Sequence, residues 1–415
     1  MKKEFHMENR NNMYQMAEDN SLIVLFSGTP LRKTGEENYP FFADRSFVYL
    51  TGIEQKESIF TAAVHSGTGS EHFYTLPSDL IAERWTGRRL TVEEISDRSG
   101  FEEISPVSEF FSSLRTILSD KGISCLYLNF NKLEDSEPDY YAYRLAAYVK
   151  KNFPYITIKN ILPIIRELRT YKKPCEIKAM KKAQTITKAG IEAMMKSSRP
   201  GMYEYQYKAE FDYALAQHGV LAPGFPSIIS AGNNNFCIHY DSYRGIAADG
   251  DMILNDVGAC WDNEINDVSR GWPCNGRFSE KQRMLYECVY QTSEYMFRLL
   301  KPGFIMSDVD KTIRRYNYEL LKDIGLCETF EDIGTYMWHG GAHHVGYDVH
   351  DTVSKDIGKI APGMVFCIDI GVYVEEWGIG FRLEDNCHIT EDGCENLSAI
   401  VPRKIEDIEA FMGTR

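Results

Sequence analysis

The chain has 415 residues, of which 43% are hydrophobic, and this length allows two domains with substantial apolar cores. Its formal net charge of −14 at pH 7 argues against nucleic-acid binding, which needs a basic surface, and against attraction to an anionic membrane. No run of about 18 apolar residues occurs, and the charged N-terminus lacks the apolar core of a signal peptide, so we expect a cytoplasmic protein.

Residues 1–165 predict an α/β domain. Short runs rich in Val, Ile, Tyr and Phe predict strands, and amphipathic patterns between them predict helices. The predicted strands are 21–28, 47–53, 58–65 and 125–130, and the predicted helices are 105–119 and 139–151. The histidines of this region do not cluster, so we expect the domain to support a site that is formed elsewhere.

A second domain is predicted from 166 to 415. The sequence YKKP marks the change, because Pro174 suits the first turn of a helix that runs up to Pro200. Ser279 and Gln282 form the capping-box signature of another long helix. Further helices are predicted at 203–218 and from about 307 to 325. Extended segments lie between and after these helices, so we expect an α+β fold with a central sheet and outer helices.

The ten cysteines are dispersed along the chain, without a CxxC pair or another zinc-type spacing. Because no signal peptide is recognised, we expect reduced thiols. A disulfide between Cys260 and Cys274 is the conceivable exception, since both belong to one predicted hairpin.

Two acidic hairpins stand out in the second domain. In 251–276 an apolar run ends at Asp256, a turn-like DNE segment follows, and the return leg carries Asp267. In 363–385 an apolar run leads to Asp369, an acidic turn follows, and the return leg carries Glu384. A single aspartate beside a turn is commonly only a turn former. The repeated arrangement instead favours one shared site.

Four carboxylates packed together would repel one another and raise each other's pKa, and a bound pair of metal ions removes that conflict. Oxygen donors suit Mn²⁺, and an added imidazole also admits Co²⁺, Fe²⁺ or Zn²⁺. The loop 339–344 (HGGAHH) offers such an imidazole. Two metals can share and activate one water, which predicts a peptide or amide hydrolase with a metal-bound hydroxide as its nucleophile. No Gly-x-Ser-x-Gly elbow competes with this interpretation.

The motifs that contain these residues resemble those of the aminopeptidase P and prolidase family, which are metallopeptidases of the pita-bread fold. The resemblance covers nearly the whole chain. ENYPFFADRSFVYLTGI and AERWTGRRL resemble the family's N-terminal α/β domain. Six catalytic-domain motifs follow in the family's order: CIHYDS, LNDVGA, NDVSRGWPCNGRFSEKQR, HGGAHHVGYDVHD, the hairpin from Gly363, and GIGFRLEDNCHIT.

The resemblance also implies which residues form the site. The implied metal ligands are Asp256, Asp267, His343, Asp369 and Glu384, with Asp267 and Glu384 bridging two metals. The implied catalytic residues are His239, His350, Asp369 and Glu384, and the implied substrate-binding residues are His339, Tyr373, Arg382 and Trp85. In some members the tryptophan reaches a neighbouring subunit, which implies a homodimer or a larger oligomer. From the residues alone, His239 and His350 could equally be structural, and His344 could be a packed neighbour of His343.

One position departs from the family pattern. The chain has Asp369-Ile370-Gly371 where the family usually has Glu-Pro-Gly. The family's glutamate binds metal and is thought to handle the proton of the attacking water. Aspartate is one methylene shorter and extends less far toward that water, and losing proton transfer typically costs about 10²–10⁴ in rate.

The resemblance therefore implies an aminopeptidase that hydrolyses the Xaa-Pro bond at peptide N-termini with two divalent metal ions, Mn²⁺ before Co²⁺, Fe²⁺ or Zn²⁺. A prolidase that accepts only Xaa-Pro dipeptides is the nearest alternative. A metal- or peptide-binding scaffold, catalytically impaired by Asp369, is an alternative of another class. The large N-terminal domain disfavours a methionine aminopeptidase, and the complete ligand set disfavours metal-free, creatinase-like chemistry.

Overall fold

The computed structural model describes residues 1–120, 122–137 and 140–413. It divides the chain into two compact units, Met1–Leu168 and a second that begins at Arg169. Among the helices in the described ranges, none has both the length and the apolar character that a bilayer span requires.

The first unit is built on a six-stranded mixed sheet with the strand order β4-β3-β2-β1-β5-β6. The antiparallel pairs are β1–β2 and β2–β3, and the parallel pairs are β1–β5, β5–β6 and β3–β4. The strands are β1 (Ser21–Phe26), β2 (Ile59–His65), β3 (Thr68–Thr75), β4 (Ile104–Pro106), β5 (Cys125–Leu128) and β6 (Thr157–Asn160). The helices are α1 (Lys3–Met16), α2 (Arg45–Thr51), α3 (Leu80–Thr86), α4 (Val92–Ser99), α5 (Phe110–Asp120), α6 (Tyr141–Asn152) and α7 (Leu162–Thr170).

The strand predicted at 47–53 is wrong, because this segment forms helix α2. The Asp44 side chain accepts a hydrogen bond from the Phe47 amide and caps the helix, and Gly52 ends it in a left-handed conformation. Its apolar residues are buried on all sides, so the segment lacks the amphipathic period that identifies a helix in sequence. The strands predicted at 21–28, 58–65 and 125–130 are confirmed as β1, β2 and β5.

The two helices predicted in this unit are confirmed with shifted starts. The pattern at 105–119 spans the end of β4, a short 3₁₀ turn and α5, whose apolar face packs in the core beside the sheet. The pattern at 139–151 corresponds to α6, and residue 139 itself lies outside the described residues.

The second unit places helices around three small sheets. Its helices are α8 (Pro174–Ser197), α9 (Glu204–Gln217), α10 (Glu280–Leu299), α11 (Val309–Asp323), α12 (Ile333–Tyr336) and α13 (Ile405–Gly413). Pro174 occupies the first turn of α8, and the Ser279 hydroxyl accepts from the Gln282 amide at the start of α10. The predictions of α8, α9, α10 and α11 are therefore confirmed.

The strands of the second unit carry the two acidic hairpins. They are β7 (Ile228–Ala231), β8 (Met252–Val257), β9 (Cys260–Trp261), β10 (Glu264–Ile265), β11 (Val268–Pro273), β12 (Ala342–His344), β13 (Val365–Val374), β14 (Ile379–Ile389) and β15 (Cys394–Asn396). They form sheets of order β11-β8-β7, β10-β9 and β12-β13-β14-β15. β11 and β14 approach closely at Gly271, where an added Cβ would lie 2.7 Å from the Cβ of Phe381. This approach brings the two hairpins together.

Candidate metal centre

Strand register places the four predicted carboxylates near one another. Asp256 lies on β8 opposite Ser269 of β11, and Asp267 immediately precedes β11. On the second hairpin, Asp369 of β13 lies directly opposite Glu384 of β14. His343 lies on β12, which pairs with β13. Directly opposed strand residues have neighbouring side chains, so the two sheets present a single cluster of carboxylates and imidazole.

The distances in the cluster are those of interacting polar groups. His343 Nε2 lies 3.2 Å from Glu384 Oε1 and 3.6 Å from Asp267 Oδ2. The Ser269 hydroxyl donates to Glu384 Oε2 at 3.0 Å. These contacts link residues from β11, β12 and β14, which are far apart in sequence.

The cluster has more buried acceptors than the protein has donors for them. Asp267 is 3% exposed and Glu384 is 1% exposed. Oδ1 of Asp256, Asp267 and Asp369 has no hydrogen-bond partner among the described residues. Buried carboxylate oxygens are normally hydrogen-bonded or bound to a cation. The donor set, hard oxygens with one imidazole, therefore fits divalent metal ions.

The pKa values of Asp267 and Glu384 are raised by the same crowding of buried carboxylates. Burial and the charges of Asp256 and Glu384 raise the pKa of Asp267 well above its usual range. Burial and the charges of Asp369 and Asp256 raise the pKa of Glu384 to about 7. A divalent cation relieves this repulsion, because it favours the ionised carboxylates.

Arg382 and His339 organise the remaining carboxylate oxygens. Arg382 donates to Asp256 Oδ2 and to the Tyr373 hydroxyl, both at 3.0 Å. His339 Nδ1 lies 3.1 Å from Asp369 Oδ2, and its Nε2 lies 3.1 Å from the Tyr373 hydroxyl. Although burial opposes the shift, the charges of His339 and Arg382 lower the pKa of Asp369. Oδ2 of Asp256 and Oδ2 of Asp369 are thus held in place by neighbouring side chains. Oδ1 of each carboxylate remains available to a cation.

The cluster forms one wall of a cavity of about 680 Å³. Phe225, Ile228, Ile238 and Val349 add apolar surface to it. The predicted residues that line it are His239, Asp256, Asp267, His339, His343, His350, Asp369, Arg382 and Glu384. Polar groups that converge on one side of an apolar cavity are typical of a small-molecule or peptide site.

His239 and His350 are both exposed at this cavity. The ring of His350 lies 4.3 Å from that of His343, measured between centroids. Burial and the positive charges of His343 and His239 lower the pKa of His350. The two exposed imidazoles can therefore hydrogen-bond to a bound molecule.

Glu204 anchors the loop that carries His239. This buried carboxylate accepts hydrogen bonds from the amides of Ala231 and Gly245, from the Asn234 side chain and from the Tyr240 hydroxyl, at 2.7–2.9 Å. The loop is fixed at both ends because a single side chain satisfies several of its donors.

Two predicted residues lie outside the cavity wall. Tyr373 is 1% exposed and contacts the site through Arg382 and His339. Trp85 lies on α3 of the first unit, where it is 86% exposed, so its assignment to a neighbouring subunit's site stays a prediction. His344 is a packed neighbour of His343, since its Nδ1 lies 3.2 Å from the Val365 carbonyl and burial lowers its pKa to about 4.

Sequence reasoning did not select Cys367, Ser269 or Asn386 as site residues. All three are buried around the carboxylate cluster. Asn386 Nδ2 donates to the Asp267 carbonyl at 2.8 Å and contacts Cys367 Sγ at 3.2 Å. The alternation of side chains along a strand was the available signal, because it puts Cys367 on the same face of β13 as Asp369.

The chain matches two protein-family models. The model described as metallopeptidase family M24 matches residues 178–391, and the model described as the N-terminal domain of aminopeptidase P matches residues 6–127. An Xaa-Pro aminopeptidase of Haemophilus influenzae is 30% identical and covers 99% of this chain and 97% of its own length. The Xaa-Pro aminopeptidase of Escherichia coli K12 is 28% identical, with coverage of 97% and 96%.

Solved structures described as aminopeptidase P also match this chain. A candidate aminopeptidase P from Bacillus anthracis matches with a TM-score of 0.97 at 31% identity, covering 100% of this chain and 99% of its own. Zinc-substituted E. coli aminopeptidase P in complex with product matches with a TM-score of 0.91 at 26% identity and the same coverage. Both similarities extend over the full length of this chain, so they include the α/β first unit and the pita-bread second unit.

Proposed function

The chain belongs to metallopeptidase family M24 and carries the N-terminal domain of aminopeptidase P, and from this premise we infer that it is an Xaa-Pro aminopeptidase. It removes the N-terminal residue of a peptide whose second residue is proline. Its full-length relatives in H. influenzae and E. coli bear this activity in their names. The observation that carries the proposal is the meeting of four carboxylates and His343 at one apolar cavity.

We propose that the ligands of two divalent cations are Asp256, Asp267, His343, Asp369 and Glu384. The uncompensated oxygens of Asp256, Asp267 and Asp369 support this assignment. Mn²⁺ is proposed before Co²⁺, Fe²⁺ or Zn²⁺, because four of the five donors are hard carboxylates. When bound, the pair of metals polarises the scissile carbonyl and lowers the pKa of a water at the site.

The protein's own side chains hold the reacting groups and move the proton. Arg382 fixes Asp256, and His339 fixes one oxygen of Asp369. Asp369 or Glu384 accepts the proton of the attacking water, since both carboxylates line the cavity beside the reacting groups. His239 and His350 donate hydrogen bonds to the scissile carbonyl oxygen as negative charge develops on it.

The apolar lining supports selection of proline. A proline nitrogen in a peptide bond carries no hydrogen, so it cannot be recognised by an acceptor. Its ring must be recognised by shape, and Phe225, Ile228 and Val349 provide apolar surface at the cavity. The site therefore combines a polar reacting wall with apolar surface for the ring.

The cellular compartment, the domain bounds and the oligomeric state are proposed from the sequence and from the exposed Trp85 side chain. We propose a cytoplasmic enzyme with an N-terminal domain at 1–165 and a catalytic domain at 166–415. We also propose a homo-oligomer, a dimer or tetramer, in which Trp85 reaches the site of a neighbouring copy. Its 86% exposure in the single chain supports this assignment.

The test is hydrolysis of an Xaa-Pro-Yaa tripeptide by protein loaded with Mn²⁺ or Co²⁺. Release of the first residue is expected, with little cleavage when alanine replaces proline. A parallel assay with the Xaa-Pro dipeptide separates the aminopeptidase from a prolidase, because a prolidase would cleave the dipeptide alone. A folded protein that binds metal but cleaves neither peptide would contradict the proposal.

A further inference from the structure

The thiol of Cys367 faces the carboxylate cluster and is not among the five proposed metal ligands. Cys367 lies two residues before Asp369 on β13, so both side chains project from the same face of the strand. In register it lies opposite His343 of β12 and Asn386 of β14. Its position in the sheet thus places sulfur beside the imidazole and the carboxylates.

The distances define a compact four-donor group. One donor atom from each of Asp267, His343, Cys367 and Glu384 lies within 4.8 Å of every other. The imidazole nitrogen is 3.2 Å and 3.6 Å from the two carboxylate oxygens. The donor atoms of one bound cation lie within a few ångströms of one another, and these four donors already meet that condition.

A second observation points to a cation at this group. Oδ1 of Asp267 is more than nine-tenths buried and has no hydrogen-bond partner among the described residues. Asn386 Nδ2 lies 3.2 Å from Cys367 Sγ and can donate to it. This contact fixes the position of the sulfur beside the carboxylate cluster.

We propose that the Cys367 thiolate is an additional donor to the cation held by Asp267, His343 and Glu384. The proposal rests on the metal centre of the proposed function and adds a soft ligand to it. Binding replaces the Sγ–H proton with metal, and the proton leaves to the solvent. Because thiolate prefers softer ions, this donor raises the affinity of the site for Zn²⁺, Cd²⁺ or Co²⁺ relative to Mn²⁺, compared with a site that has the five other ligands alone.

The alternative role of Cys367 is packing. Its side chain is fully buried and also contacts apolar neighbours that include Val345 and Val365. A packing residue would tolerate serine or alanine without any change in metal selectivity. Replacing a metal ligand would change the metal selectivity.

The test uses the cobalt-loaded full chain under anaerobic conditions. We expect a thiolate-to-cobalt charge-transfer band in the near ultraviolet that is absent from Cys367→Ser. The band should persist in the matched control Cys288→Ser, which alters a buried cysteine on α10. In competition titrations, Cys367→Ser should lose at least about tenfold in preference for Cd²⁺ over Mn²⁺.

A second measurement needs no variant. X-ray absorption of the zinc-loaded wild-type protein should show a sulfur scatterer at about 2.3 Å. A wild-type protein that binds two metals per chain and cleaves Xaa-Pro peptides, yet has neither the band nor the scatterer, would overturn the sulfur ligand and leave the proposed function intact. A sulfur-bound metal in a protein without peptidase activity would support the ligand and count against the function.

Discussion

Asp369 is the residue at which this metal centre differs from the Glu-Pro-Gly pattern of the family it belongs to. Its Oδ2 lies 3.1 Å from His339 Nδ1, and its Oδ1 has no hydrogen-bond partner among the described residues. The shorter side chain is therefore oriented by a neighbouring imidazole. One oxygen remains for metal or for the attacking water.

We predict that Asp369→Glu retains or increases the peptidase rate, since the added methylene extends the carboxylate toward the cavity. Asp369→Asn is the matched control, because it keeps the size but removes the charge and the proton acceptor. It should lower kcat/KM by about 10²–10⁴. Both variants are assayed on an Xaa-Pro-Yaa peptide with Mn²⁺. A large loss in Asp369→Glu would show that the site is adapted to aspartate.

Glu264 is a further buried carboxylate with unpartnered oxygens, and it lies outside the candidate metal centre. It is completely buried on β10, and neither of its oxygens has a hydrogen-bond partner among the described residues. Lys172, Asp351 and Glu176 surround it as charged neighbours. Burial and the charge of Glu176 raise its pKa well above the usual range. The folded protein therefore favours its protonated form.

This shift predicts how stability depends on pH. A carboxyl whose pKa is raised by folding stabilises the protein below its unfolded pKa, and that contribution is lost as the pH rises through the folded pKa. As the pH rises above 4.5, the ordinary pKa of a glutamate, wild-type protein should lose on the order of 1–3 kcal/mol more unfolding free energy than Glu264→Gln. Urea denaturation of the metal-loaded proteins measures this. Glu375→Gln, on an exposed turn, is the control and should behave like wild type.

At the scale of elements, the first hairpin depends on a close backbone approach at Gly258. A Cβ at this position would lie 1.8 Å from the backbone oxygen of Asn266. Gly258 follows Asp256 by two residues, and Asn266 immediately precedes Asp267. The positions of Asp256 and Asp267, both proposed as metal ligands, thus depend on a contact that only glycine allows.

Gly258→Ala should therefore lower both stability and metal content. The obstructing atom belongs to the backbone, so strands β8 and β11 must separate, at a cost of about 1–3 kcal/mol or more. Thermal unfolding and metal analysis of the purified variant test this. Gly334→Ala is the control, because no atom lies within 4 Å of a Cβ there, and it should be neutral or slightly stabilising. Equal unfolding temperatures and equal metal contents in the two variants would contradict the steric argument.

At the scale of the whole molecule, metal binding should be coupled to folding and to pH. Without metal, burial and neighbouring carboxylates raise the pKa of Glu384 from 4.5 to about 7. Although burial opposes it, contact with Glu384 raises the pKa of His343 from 6.5 to about 9. Both raised values mean that the metal-free protein loses stability as the pH rises through this range. Metal replaces the protons and removes that dependence.

Chelation should therefore destabilise the protein more at pH 8 than at pH 6. We expect the chelator to lower the Tm at both values, since metal binds the folded state, with a larger decrease at pH 8. Differential scanning calorimetry with and without EDTA measures this, and added Mn²⁺ should restore the Tm. An equal decrease at both pH values would show that Glu384 and His343 do not control the coupling.

The sequence by itself determined the starts of α8 and α10 and the types of candidate ligand. Pro174 and Ser279 act through contacts within one turn, so their signals are local and the helices follow from them. The acidic residues of the two hairpins were identifiable because each hairpin repeats the same short pattern. The family resemblance added the roles expected of those residues.

Only the tertiary structure decided which of these residues meet and what surrounds them. The segment 47–53 is buried on all sides, so no amphipathic period identified helix α2 in the sequence. Strand pairing placed His343 in the carboxylate cluster, left His344 packed beside it, and brought Cys367 to the same group. The meeting of His343 and Cys367 with the carboxylates depends on pairing between strands that are distant in sequence, and a local pattern does not specify which strands pair.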